Sequence, residues 1–256
     1  MAEWRVTVHK KIKINSSVLI EGMPGIGNVG KIAADIIVEQ LKAEKIASFF
    51  SHCLPNSVFV KENNMVGLPK IELYHKRKGK QDFIFLVGDV QPMQEEDSYS
   101  FTEAVLDTIQ KLGYKEIIAL GGIGLSEPPK ESRIFCTGND KKFIDEFVKL
   151  GVSNKLYGFV GPIMGITGLL LGLSKERNMR AVTVLAETYA SPMHVGFREA
   201  KGLLGIIEKK YKLGLSMDKV EKDIKAFEGN LKPNAKQQEL AKSKLKLAHQ
   251  DTNYIG

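Results

Sequence analysis

The sequence predicts an α/β protein: a three-layer α/β/α arrangement around a mainly parallel sheet, with a C-terminal helical tail. Three observations carry this. Short apolar runs alternate with amphipathic segments of helical period along residues 17–211, the pattern of parallel strands with helices on both faces. One run, Phe83-Ile84-Phe85-Leu86-Val87, is apolar without interruption, as a strand covered on both sides must be. A glycine-rich turn, Gly22-Met23-Pro24-Gly25-Ile26-Gly27-Asn28-Val29-Gly30, joins a strand to a helix, the junction at which α/β proteins place phosphate-binding loops.

Ser17-Val18-Leu19-Ile20-Glu21 predicts the first strand. The helix after the turn carries Val29, Ile32, Ala33, Ile36, Ile37 and Leu41 on one face. Ile46–Phe50, Ser57–Val60 and Ile71–Lys76 read as strands, with turn residues at Asn63-Asn64 and Gly67-Leu68-Pro69. Lys76-Arg77-Lys78-Gly79-Lys80 reads as a solvated hairpin tip. A long helix follows, capped by Asp97 or Ser98, with Phe101, Ala104, Val105, Thr108, Ile109 and Leu112 facing inward and Gly113 ending it. Ile117–Leu120 enters the sheet before a Gly121-Gly122 turn. Asn139 caps a short helix bearing Phe143, Ile144, Phe147 and Val148. An apolar helix opens at Gly161-Pro162-Ile163-Met164-Gly165-Ile166-Thr167-Gly168 and runs through Leu173; Ala181–Ala186 is the last strand, and Ala200–Tyr211 the helix after it.

The character changes after Gly214. Residues 1–214 form the α/β domain. Residues 215–230 form a docking helix with a narrow stripe of Met217, Val220, Ile224 and Phe227. Residues 231–256 read as a lysine-rich, partly helical and partly flexible C-terminal tail.

Composition excludes several functions. Among 256 residues, 43% are hydrophobic and 26% charged, ordinary for a globular chain. No apolar run approaches the ~18 residues that span a bilayer, and the N-terminus lacks a signal-peptide core, so the expected compartment is the cytoplasm. The net charge of +7 is scattered and accompanies no nucleic-acid-binding motif. Cys53 and Cys136 stand alone, so neither a disulfide framework nor a zinc site is expected.

The glycine turn has two readings. As a nucleotide site, Gly25, Gly27 and Gly30 would cradle phosphate. However, no acidic residue lies near Ser51-His52-Cys53, where a ribose partner belongs, and Ile32 stands where a phosphate loop needs Ser or Thr. As a structural turn, the same glycines permit close helix–strand packing. The strand ends should gather His52, Cys53, Asp89, Gln91, Glu127 and Glu187 at one edge. Asp89 and Glu187 would then be either an acid–base pair or partners of loop amides. His194 reads as a turn or interface residue. No nucleophile elbow, metal spacing or kinase signature occurs, so no catalytic residue, cofactor or metal is assigned. The other candidate is the end of the chain, Asn253-Tyr254-Ile255-Gly256, an aromatic beside a free carboxylate, suited to a partner's pocket.

Met23–Gly30, Gly121-Gly122, the Gly161–Gly168 opening and Leu185-Ala186-Glu187-Thr188-Tyr189 with Pro192 resemble the signature segments of the proteasome assembly chaperone family in its archaeal form. The resemblance implies a fold akin to nucleoside phosphorylases and hydrolases without established catalysis. It also implies homo-oligomers that bind the proteasome core particle, either assisting its assembly or activating it. The expected contact is with its α subunits; a paralogue is a further candidate partner, and neither nucleic acid nor membrane is expected. In the family a C-terminal hydrophobic–tyrosine–any-residue motif docks on the core particle. Here Tyr254, Ile255 and Gly256 form a variant of it, with the tyrosine third from the end.

Overall fold

The computed structural model describes residues 3–14, 17–61, 64–113 and 115–230. The chain divides into two compact units, Met1–Ser216 and a second beginning at Met217. The second contains a single described element, helix α6 (Met217–Asn230). The segment 231–256, with Tyr254, Ile255 and Gly256, lies outside the described residues.

In the first unit the elements run β1 (Arg5–Val8), β2 (Ser17–Gly22), α1 (Val29–Leu41), β3 (Glu44–Phe50), β4 (Phe59–Val60), β5 (Val66–Gly67), β6 (Ile71–Lys78), β7 (Gln81–Gly88), α2 (Glu95–Lys111), β8 (Glu116–Leu125), β9 (Ile134–Gly138), α3 (Lys141–Val148), α4 (Gly165–Glu176), β10 (Arg180–Tyr189) and α5 (Phe197–Tyr211). Eight strands form one sheet in the order β1-β3-β6-β7-β2-β8-β10-β9, while β4 and β5 make a separate small hairpin.

The three layers stand as the sequence predicts. The four central strands, β7, β2, β8 and β10, are mutually parallel, and antiparallel strands flank them on both sides. Helices α2 and α4 pack together over one face, and α1 and α5 over the other. Alternate residues of β7 show how the layers divide: Ile84 and Leu86 join Phe101, Val105 and Leu170 in one core, while Phe83 meets Tyr211 of α5 at 5.2 Å between ring centroids. Residues 82–88 of β7 are buried throughout.

Local chemistry moves several expected boundaries. Helix α2 starts at Glu95 rather than after Asp97 or Ser98. Ser98 lies inside it, and its hydroxyl donates back to the Gln94 carbonyl at 3.0 Å. Asp140, not Asn139, caps α3, accepting from the Phe143 amide at 2.7 Å. Asn139 instead accepts from the Ala181 amide at 2.8 Å and donates to the Met179 carbonyl at 3.1 Å, tying β9 to the start of β10. Gly121 and Gly122 make no turn: β8 continues through them to Leu125. Strands β1 and β9, the two edges of the sheet, are additions to the expected set.

Candidate functional site

The carboxyl ends of the central strands meet at a crevice of about 380 Å³. It lies between the glycine turn (residues 23–26), the end of β8, and the segment 159–165 that leads into α4. The chain leaves β2 toward β3 on one side of the sheet and leaves β8 toward β9 and β10 on the other. Such a reversal opens the crevice in which α/β sheets hold their ligands.

Sequence dictates the shape of the turn. Gly27 sits at φ 61°, a left-handed conformation that costs a side-chain-bearing residue energy. Gly30 lets α1 lie directly on β8, because a Cβ there would stand 2.0 Å from the Leu120 carbonyl oxygen. Gly25 differs: nothing lies within 4 Å of its Cβ position, which opens on the crevice. Two of the three glycines are therefore needed for packing and backbone geometry whether or not a ligand is present.

Two side chains hold the crevice together. Gln91, on the segment after β7, donates to the Pro24 carbonyl at 2.6 Å, and its Oε1 lies 3.5 Å from the Ile166 amide. Beneath the floor, fully buried Glu21 of β2 accepts from the Met23 amide at 2.7 Å and from the Thr167 hydroxyl at 3.2 Å. Burial pushes the Glu21 carboxyl up from 4.5 to about 8, outweighing both hydrogen bonds, which pull it down. Glu21 is therefore protonated at neutral pH. Sequence reasoning passed over it as a strand residue; the signal was a carboxylate closing the apolar run Val18-Leu19-Ile20, immediately before the turn.

This raised pKa sets a sign. Between pH 4.5 and about 8 the folded state holds a proton that the unfolded state has lost, so the Glu21 contribution is full below 4.5 and falls as pH rises, by about 1.4 kcal/mol per pH unit. Above about 8 it changes no further. Glu21→Gln is expected to remove this slope. In urea melts from pH 4.5 to 8.5, the variant should gain on the parent steadily across the window, and parallel curves would exclude the buried proton.

The crevice walls carry no charged side chain; they are Ile26, Phe159, Ile163, Met164, Leu185 and backbone of the surrounding glycines. Lys31, the nearest cation in sequence, donates to Asp35 at 2.8 Å. The arrangement suits an uncharged or apolar group and supplies no counter-charge for phosphate.

The expected acid–base residues do not meet. Asp89 accepts from the Lys70 amide at 3.0 Å and lies 3.9 Å from the Lys31 ammonium. Glu187, 2% exposed, accepts from the Arg133 amide at 3.2 Å and from its Nε at 2.9 Å. That guanidinium holds the Glu187 carboxyl below the usual range. Their strands, β7 and β10, are separated by β2 and β8, about 14 Å at the usual spacing. Both carboxylates serve loop amides. Of the other expected strand-end residues, Gln91, Gly121 and Gly122 line the crevice, whereas His52, Cys53 and Glu127 do not. His194 ties its turn to α5, with Nε2 3.1 Å from Glu199 Oε1. Among the described residues no group of His, Cys, Asp and Glu could hold a metal ion, and no helix is long and apolar enough to cross a membrane.

The rim is apolar and open to solvent. Ile26 and Met164 are 48% and 75% exposed, and Met93 and Met193, on the segments leaving β7 and β10, reach 81% and 90%. Exposed apolar side chains of this kind are suited to contacts with other proteins, and methionine to adaptable ones.

Comparison with known proteins places this geometry in context. The model of the PAC2 family matches residues 19–233. The Methanocaldococcus jannaschii protein MJ1210 is 26% identical over 226 residues, 86% of this chain and 85% of the relative. Pyrococcus furiosus PbaB, an archaeal proteasome activator, superposes with a TM-score of 0.82 at 29% identity, over 90% of this chain and 98% of its own. Pyrococcus furiosus PbaA, an archaeal homolog of proteasome-assembly chaperone, shares the fold, with a TM-score of 0.75 at 22% identity, over 97% and 99% of the two chains.

Proposed function

From the premise that this chain belongs to the PAC2 family, we propose that it is a non-enzymatic partner of the proteasome core particle, acting as an assembly chaperone or activator. The observation that carries this reading is the likeness to PbaB over nearly the whole of both chains. In this reading the α/β domain is a cytoplasmic scaffold that self-associates through the apolar rim of Ile26, Met93, Met164 and Met193. The C-terminal tail reaches the α subunits. Tyr254, Ile255 and Gly256 insert there, and Lys232, Lys236, Lys242, Lys244 and Lys246 favour an acidic surface. A paralogue sharing the same rim is a second admissible partner.

The uncharged crevice and the separation of Asp89 from Glu187 favour this reading over a nucleoside- or phosphate-handling enzyme built on Gly25, Gly27 and Gly30. The deciding experiment is co-sedimentation of the full chain with purified core particle. Retention at a defined stoichiometry is expected, and its absence at micromolar concentration would defeat the proposal. A thermal-shift screen with nucleosides and nucleotides addresses the enzyme directly, since saturable stabilisation would revive it.

A further inference from the structure

A second cavity, of about 630 Å³, lies between α2 and the sheet edge formed by β1 and β3. The inward stripe of α2 read from the sequence includes Ala104, Thr108 and Leu112. In the structure these three are only half-buried and form one wall of this groove. Facing them, alternate residues of β1 make the other wall, with Val8 still 59% exposed. Ile46 and Ala47 of β3 form the floor. The helix layer thus stops one element short of the sheet edge, leaving apolar side chains uncovered along about 12 Å of α2.

The groove has a cationic rim. Lys10, Lys11 and Lys111 line it. Lys10 is paired with Glu44, whereas Lys11 and Lys111 have no ion-pair partner among the described residues. The one acidic residue of the lining, Asp107, is held by Arg177 at 2.6 Å. An elongated apolar trough with unpaired cations and a neutralised carboxylate is complementary to one ligand chemistry, an alkyl chain with an anionic head. The lysine-rich segment 231–256 has the wrong sign to fill it. We infer that this groove binds a linear aliphatic carboxylate, a medium-chain fatty acid, with the head group on Lys11 and Lys111.

The chain holds a single tryptophan. Trp4 lines the groove, anchored by a 3.1 Å bond from its Nε1 to the Ser100 hydroxyl, so its fluorescence reports occupancy directly. Titrating the full chain with decanoate, below its micellar concentration, is expected to give a saturable change with one site per chain. Decanol should bind at least tenfold more weakly. The double variant Lys11→Glu/Lys111→Glu should lose at least tenfold in affinity for decanoate with its melting temperature preserved. Ala104→Phe, which fills the groove, should abolish binding. Absence of a saturable signal by both fluorescence and calorimetry would overturn the inference. So would equal binding of decanol and decanoate with no effect of charge reversal. If Ala104→Phe instead changes the mass by light scattering while decanoate never binds, the groove is a contact between copies and the inference falls.

Discussion

Gly30→Val is expected to cost about 3 kcal/mol or more of folding free energy, read as a large fall in the urea midpoint with an unchanged slope. The reason is geometric. A Cβ at position 30 would lie 2.0 Å from the Leu120 carbonyl oxygen and 2.6 Å from its carbon. These are backbone atoms of a central strand, with no side-chain end that could swing away. Helix α1 would have to rise off β8, opening the core under Ala33, Ala34 and Ile37, all fully buried. Overpacking that side chains can relieve costs about 1–3 kcal/mol; here only a backbone shift relieves it. Gly25→Ala is the contrasting experiment. Its backbone is extended and its Cβ position is empty, so a change within about 0.5 kcal/mol is expected. A turn selected to cradle phosphate would invert the pair in a binding assay, with Gly25 the sensitive position. Equal tolerance at both would deny the packing role assigned to Gly30.

The same contrast explains which parts of the molecule could be read from its residues. The central strands were legible because burial on both faces leaves an unbroken apolar run such as Phe83–Val87, and helices α1 and α5 because only one face is covered. Strands β1 and β9 were not, since both are short: Arg5-Val6-Thr7-Val8 alternates polar and apolar residues over only four positions, and β9 offers an apolar run of only three, Ile134-Phe135-Cys136. Caps were misplaced where two candidate residues adjoin: Asn139 and Asp140 are both good caps, and only the tertiary partners of Asn139 decide between them. At the crevice, the glycines and Gln91 stood out as residue types. Glu21 did not, because its significance is its burial, and burial is a property of the neighbours. The stripe of α2 shows the converse limit. Periodicity states that Ala104, Thr108 and Leu112 belong to an apolar face, not that anything covers it.

Deleting Ala248–Gly256 is expected to weaken association with the core particle by at least a hundredfold while leaving the melting temperature of the protein unchanged. Those residues lie beyond residues 1–214 assigned to the α/β domain, so the loss would fall on binding alone. The magnitude follows from the chemistry of the end. A tyrosine anchored in a pocket contributes about 2 kcal/mol or more to binding, close to thirtyfold, and the terminal carboxylate meeting a lysine adds to it. Tyr254→Phe keeps the ring and removes one hydroxyl, so it should cost less than Tyr254→Ala, which removes the anchor. Under the proposed mode, a homo-oligomer would engage one ring with several tails, each bound tail raising the effective concentration of the next. The deletion should therefore cost more in the oligomer than in any monomeric variant. Under the same mode, lysines along the tail would contribute through attraction screened by salt. Raising ionic strength should slow association of the full chain and of the chain lacking Ala248–Gly256 alike, because Lys232, Lys236, Lys242, Lys244 and Lys246 remain in both. Unchanged affinity after the deletion would transfer recognition to the folded domain, where the open rim of Met93, Met164 and Met193 would be the surface to mutate.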